Sequence, residues 1–190
     1  MSKFLDKVQP KNRIQLEQLI DYAFKHNIYD LNFIDTSEIT DMSNLFMNCE
    51  YDIDVSNWDV SNVINMGCTF YNCNMFTGKG LENWDVSNVT NMSDMFYYCK
   101  KFDCDLSRWN VSNVTDVSVM FYYCYDFDSD LSNWNVSNVK DMSYMFTVCE
   151  NFKGKGLENW DVSKVEDMKY MFGGCDKLTI PNWYKLYHKK

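Results

Sequence analysis

Apolar residues recur along this chain as apolar-x-x-Trp-x-Val-Ser-x-Val-x-x-Met-x-x-Met-Phe-x-x-Cys, and the two halves of that pattern carry different periodicities. In the first half, the spacing of Leu106, Trp109 and Val111 predicts a short strand. In the second, Met92, Met95, Phe96 and Cys99 stand at i, i+3, i+4 and i+7, and Met142, Met145, Phe146 and Cys149 repeat the spacing. That periodicity predicts a helix with all four side chains on one face. Thr90 or Thr115, followed by Asn91 or Asp116, offers a cap to the first free N–H groups. Each unit therefore reads as strand, turn and short helix.

Trp58, Trp84, Trp109, Trp134, Trp160 and Trp183 are separated by steps of 26, 25, 25, 26 and 23 residues. Cys49, Cys73, Cys99, Cys124, Cys149 and Cys175 keep the same beat, so two unrelated side chains share one period. A single unit cannot bury its apolar face, but stacked copies can. The spacing of Leu106, Trp109 and Val111 also follows the L-x-x-L-x-L of a leucine-rich repeat. The expected fold is thus an α/β repeat solenoid, a leucine-rich-repeat-like right-handed superhelix. Short parallel strands about 4.8 Å apart would line its concave side, with short helices about 8 to 10 Å apart on the convex side.

Strand starts at Leu31, Val55, Leu81, Leu106, Leu131, Leu157 and Ile180 divide the chain. Residues 1–30 are expected to form an N-terminal cap, with a helix over 12–27 that presents Leu16, Leu19, Ile20, Ala23 and Phe24 and starts at Asn12. Residues 31–179 hold six repeats of about 25 residues, and 180–190 a closing strand, blunted by Pro181, with a basic tail. Gly78-Lys79-Gly80 and Gly154-Lys155-Gly156 lengthen two turns by one residue, where glycine supplies unusual backbone angles.

The 190 residues are 46% hydrophobic, enough for one core, and carry a net charge of -9 with a pI near 4.6. That charge disfavours nucleic acid and anionic membrane surfaces as partners and favours a basic or strongly polar protein. No run of 18 apolar residues exists, and Met1 to Pro10 lacks an apolar signal core. A cytosolic location is expected for the chain as it stands, and the cell surface if an export segment has been lost. Six cysteines on one core row read as small buried hydrophobes, while Cys68 and Cys104 read as exposed thiols. Without a C-x-x-C pair, and with histidines only at His26 and His188, no metal site is expected.

The stretch Asp-Val-Ser-Asn-Val-Thr-Asn-Met-Ser-Asp-Met-Phe, residues 85–96, resembles the repeat of BspA-family leucine-rich-repeat surface proteins, including their mycoplasma branch. Ile34 to Met42 is similar to the way such arrays begin. The resemblance implies the solenoid fold and, in its better-known members, adhesins or antigens that bind host proteins.

In a repeat protein the outward positions of the concave strands read the partner. Asp59, Asp85, Asn110, Asn135 and Asp161 follow each Trp; Arg108 interrupts a row of asparagines before it, and Glu82 and Glu158 replace serines nearby. These eight are the expected partner-binding residues. Asp52/Asp54, Asp103/Asp105 and Asp126/Asp128/Asp130 line the loops, but lack the Gly and Glu of a calcium loop and read as solvated turns. Asn62, Asn88, Asn113 and Asn138 are expected to bond to a neighbouring unit's backbone. Tyr97-Tyr98 and Tyr122-Tyr123 offer an outer contact patch or packing between units. Catalytic motifs are missing, and no histidine stands within the repeats. The expected function is a non-enzymatic protein-protein interaction module without cofactors, with a bacterial surface adhesin as the alternative.

Overall fold

The computed structural model describes residues 7–187, so residues 1–6 of the N-terminal segment and 188–190 of the basic tail lie outside it. Helix α1, Arg13–Lys25, comes first. The Asn12 side chain accepts a hydrogen bond from Gln15 N at 3.0 Å, satisfying one of the free donors of the first turn. Leu16, Ile20 and Ala23 fall on one face and are buried against the first unit.

Six units follow, joined in register. Isolated parallel bridges pair Asp41 with Asn65, Asn65 with Asn91, Asn91 with Asp116, Asp116 with Asp141 and Asp141 with Asp167. Before each bridge, the N–H of Ile64, Thr90, Thr115 or Lys140 donates one unit back at 2.8 to 2.9 Å; after it, Met42, Met66, Met92 or Met142 donates one unit ahead at similar distances. This is the alternation of a parallel ladder.

The ladder runs through the segment expected to start a helix. The expected helix over Asp41 to Cys49 is instead a ribbon of overlapping turns. Leu45, Met47 and Cys49 donate to carbonyls three residues back, while Asn44, Phe46 and Asn48 donate to Gly67, Thr69 and Tyr71 of the next unit. Asn44 and Asn48, at φ 60° and 62°, reverse the backbone every four residues, and later units repeat this at Asp94 and Tyr98 and at Tyr144 and Val148. An α-helix spends its N–H groups on itself, whereas this ribbon shares half of them with its neighbour. Units therefore approach at sheet spacing, and Phe46, Phe70, Phe96, Phe121, Phe146 and Phe172 stack with centroids 5.4 to 5.8 Å apart.

The expected strand around Leu106 to Val111 is also a turn. Trp58, Trp84, Trp109 and Trp134 each donate their N–H to the residue three back, at 3.0 to 3.1 Å. Side chains link the units here: each indole Nε1 reaches a carbonyl one unit back, Trp109 to Leu81 at 2.8 Å and Trp134 to Leu106 at 2.9 Å. A further bridge in this half pairs Asp30 with Asp54. The two lengthened loops end in short 3-10 turns, Leu81–Asn83 and Leu157–Asn159, each entered through a left-handed glycine. A Cβ on Gly156, at φ 93°, would lie 2.3 Å from Ser132 Cα.

Both ends of the stack are closed. Asp41 and Ser43 have no preceding unit to take up their carbonyls, and the Arg13 guanidinium of α1 donates to both, at 3.3 Å to Asp41. The far end carries helix α2, Asn182–Tyr187, where a closing strand was expected. Pro181 lies just before it, where a missing N–H costs nothing. Trp183 still holds the indole register, donating to Leu157 O at 2.7 Å. No helix among the described residues is long and apolar enough to cross a membrane.

Candidate functional site

The Asx turn builds the expected binding row. A carboxylate or amide oxygen accepts the N–H two residues on, locking its own side chain. Asp59 accepts from Ser61 N at 3.0 Å, Asp85 from Ser87 N at 3.1 Å, Asn110 from Ser112 N at 3.2 Å, Asn135 from Ser137 N at 3.2 Å and Asp161 from Ser163 N at 3.0 Å. The Ser61 and Ser163 hydrogen bonds hold the Asp59 and Asp161 carboxyls below the usual range. All five side chains are exposed, and the bonds of Asn88 to Ser61 O, Asn113 to Ser87 O and Asn138 to Ser112 O hold their turns in register along the stack.

Arg108 is exposed beside this row, and Glu158 is exposed at the second 3-10 turn. Glu82 is tied inward: its Oε2 accepts from Gly80 N at 2.9 Å, and the Cys104 thiol donates to it at 3.6 Å. Asn62, Asn88, Asn113 and Asn138 each donate an amide N–H to a serine carbonyl one unit back, at 2.7 to 2.8 Å, and are thereby spent on the stack. Lys164 ends that row on Asn138.

The loop carboxylates are engaged as well. Asp52 accepts from Thr77 N at 3.0 Å, Asp128 from Lys153 N at 2.9 Å and the Lys153 ammonium, and Asp130 from Ser132 N at 3.0 Å and the Lys155 ammonium. Lys155 and Ser132 together lower the Asp130 carboxyl to about 2. Asp103 runs the other way: partial burial, then the charges of Asp126 and Asp128, raise its carboxyl. Among the described residues no group of three or more His, Cys, Asp or Glu side chains is placed to hold a metal ion.

The cysteine row is a column of donors inside the core. Cys73, Cys99, Cys124, Cys149 and Cys175 each donate a thiol hydrogen to a phenylalanine carbonyl one unit back, at 2.8 to 3.0 Å. Burial raises the Cys99, Cys124 and Cys149 thiols well above their usual value, so they are poor nucleophiles. Cys104, expected to be exposed, is buried at 7% exposure, because the lengthened loop packs Gly78 against it and its thiol turns in to Glu82. Cys68 is partly exposed.

The tyrosines reach further than the two expected pairs. Tyr71 stacks on Tyr97 at 4.3 Å and Tyr97 on Tyr122 at 5.2 Å; Tyr144 follows Tyr122 at 6.4 Å, and Tyr170 follows Tyr144 at 5.3 Å. Beside them Tyr98 meets Tyr123 at 4.6 Å, and Tyr123 meets Tyr125 at 5.8 Å. The signal was present in the sequence, since Tyr71, Tyr97 and Tyr122 each stand two places before the row cysteine.

Comparison with curated proteins and with solved structures gives no match. One family model does match, over residues 14–79 and 67–183, and these cover nearly all of the repeat array. The chain therefore belongs to the family described as Mycoplasma protein of unknown function, DUF285.

Proposed function

We propose that this protein is a non-enzymatic protein-protein interaction module, built as a right-handed leucine-rich-repeat-type solenoid of the BspA kind. Asp59, Asp85, Asn110, Asn135 and Asp161 form its docking row, with Arg108 and Glu158 adding contacts that distinguish one stretch of the row from another. The observation that carries this reading is the row of Asx turns. Each outward side chain is held by a backbone N–H at 3.0 to 3.2 Å, so a partner meets groups whose ordering cost was met on folding. One carboxylate oxygen of each aspartate binds its own turn, leaving the other for a donor on the partner. Catalysis has little material to draw on, because the row thiols are buried, five of them bonded to phenylalanine carbonyls, and Asp52, Asp128 and Asp130 are tied to backbone N–H groups or lysine.

The test is capture from lysate of the source organism by wild-type protein and by an Asp59→Lys/Asp85→Lys/Arg108→Glu variant. A protein held by the wild type alone supports the row as the docking site, and equal retention by both refutes it. The adhesin reading draws on the resemblance of residues 85–96 to BspA-type surface repeats and on the mycoplasma family. Labelling of intact cells with a membrane-impermeant amine reagent decides it: modified protein supports display on the surface, and labelling only after lysis excludes it.

A further inference from the structure

Helix α1 closes the first unit's outer edge over the core and over two carbonyls, and it leaves two more carbonyls beside a groove. In each later unit, four carbonyls of the turn ribbon take up N–H groups of the unit before. Asn65 and Gly67 accept from Met42 and Asn44, and Thr69 and Tyr71 accept from Phe46 and Asn48. The same places in the first unit, set by the Asp41–Asn65 bridge, are Asp41, Ser43, Leu45 and Met47. Their carbonyls turn out of the stack, so this stretch of the edge offers acceptors.

Arg13 shows what such a pair of carbonyls holds. Its guanidinium donates to Asp41 O at 3.3 Å and to Ser43 O, and Nη1 lies 3.5 Å from the Asp41 carboxylate. Leu45 and Met47 stand one four-residue step further along the ribbon, with Asn48 at φ 62° in the place that Asn44 holds at 60°. The second pair of carbonyls therefore repeats the geometry of the first. No donor among the described residues reaches either of them.

The second pair opens into a groove of about 370 Å³ between α1 and the ribbon. Phe24, Met47 and Tyr51 give it apolar walls, with the Tyr51 ring 5.4 Å from Phe24 and 4.3 Å from Tyr29 between centroids. Asp21 and Glu50 also line it; both are exposed, and neither enters an ion pair among the described residues. Asp21 follows Arg13 by eight residues, about 12 Å along the helix axis, so Arg13 is committed elsewhere. A planar guanidinium suits all of these features: paired N–H groups for two carbonyls, positive charge between two carboxylates, and weakly hydrated faces for apolar walls. An ammonium would bring charge without the rigid pair of donors.

We propose that the groove between α1 and residues 45–51 is a binding site for a guanidinium group supplied by an arginine outside this chain. Leu45 O and Met47 O take its N–H groups as Asp41 O and Ser43 O take those of Arg13, and Asp21 and Glu50 balance its charge. The site lies at the α1 end of the stack and binds without the Asp59 row. Free arginine and an arginine side chain of a partner protein share this chemistry, and the experiment separates them.

The full chain is titrated with Nα-acetyl-arginine methylamide, with the citrulline counterpart, whose urea group is neutral, and with free arginine, each followed by amide NMR spectra. The N–H groups of Phe46 and Asn48 belong to the same peptide units as Leu45 O and Met47 O, so their signals report on the pair directly. The capped arginine is expected to shift both signals and to bind about tenfold more tightly than the citrulline compound. In Asp21→Asn/Glu50→Gln, which keeps shape and removes charge at two exposed positions, its affinity should fall about fivefold. An Asp59→Asn/Asp85→Asn control should bind it as the wild type does. Binding of the capped form at least as tight as that of free arginine assigns the site to a partner's side chain, and tighter binding of free arginine assigns it to the amino acid. Equal affinity for the arginine and citrulline compounds, or silent Phe46 and Asn48 signals, overturns the proposal. So do an unaffected Asp21→Asn/Glu50→Gln variant and shifts confined to Met42 and Asn44, since the probe would then have displaced Arg13. Loss of affinity in the Asp59→Asn/Asp85→Asn control would put the probe on the docking row and refute the groove.

Discussion

Every unit places two residues in the left-handed region, and the residues there decide how much strain the ribbon carries. Asparagine and aspartate tolerate positive φ, which suits Asn44, Asn48, Asn72 and Asp94. Val119 and Val148, at φ 61° and 60°, are β-branched and pay for the conformation. Val119 is only half-buried, so little packing is lost on exchanging it. Val119→Asn is expected to stabilise the chain by about 1 kcal/mol, read as a higher Tm. A lower Tm would mean that the isopropyl group is packed too well to give up. The converse holds at Gly156, where alanine would meet Ser132 backbone atoms at 2.3 Å in a left-handed turn. Gly156→Ala should cost about 2 kcal/mol or more, measured by urea unfolding, and a neutral result would mean that the lengthened loop can shift as a body.

At the level of elements, α1 is a lid with a polar and an apolar task. Leu16, Ile20 and Ala23 cover the first unit's core, and Arg13 supplies the donors that a preceding unit would have given to Asp41 and Ser43. Arg13→Met keeps the aliphatic stem but leaves these two carbonyls without that donor. The expected loss is about 1 to 3 kcal/mol, with amide exchange faster around Met42 and Asn44 than around Met142. Uniform exchange along the chain would show that water replaces the guanidinium without penalty. Apolar positions made the α1 core face and the repeat register legible in the sequence, and Trp and Cys marked the register. Local conformation was not legible, because i, i+3, i+4, i+7 describes a helix and a four-residue turn ribbon equally well. Asparagine recurring four places apart, at Asn44 and Asn48, was the available sign of left-handed backbone. The Asp-x-Ser pairs of the docking row likewise read as surface chemistry, although each closes its own turn. Arg13 carried no periodic mark and so could not be singled out.

For the whole molecule, the column of thiols ties stability to alkaline pH. Burial raises the folded pKa of Cys49 and Cys175 to about 11 and of Cys104 to about 12, and drives those of Cys99, Cys124 and Cys149 well above the common value of 9.0. A raised folded pKa means that the unfolded chain releases its protons first. The contribution is therefore intact below about pH 9 and is lost as pH climbs toward the folded values. Each of the three innermost thiols removes about 1.4 kcal/mol per pH unit once its unfolded counterpart is ionised, together about 4 kcal/mol per unit. A domain with a typical stability of about 5 to 15 kcal/mol should then unfold within a few units above pH 9. Phenols join from about pH 10, so the interval from 9 to 10 belongs chiefly to the thiols. Urea melts across pH 8 to 10.5 are expected to show stability level at first and then falling steeply. In Cys99→Ala/Cys124→Ala the fall should be shallower by about 3 kcal/mol per unit at its steepest, even if the starting stability is lower. An unchanged slope in that variant would mean that the column is not what the folded state protects from ionisation, and that the stacked tyrosines govern alkaline unfolding instead.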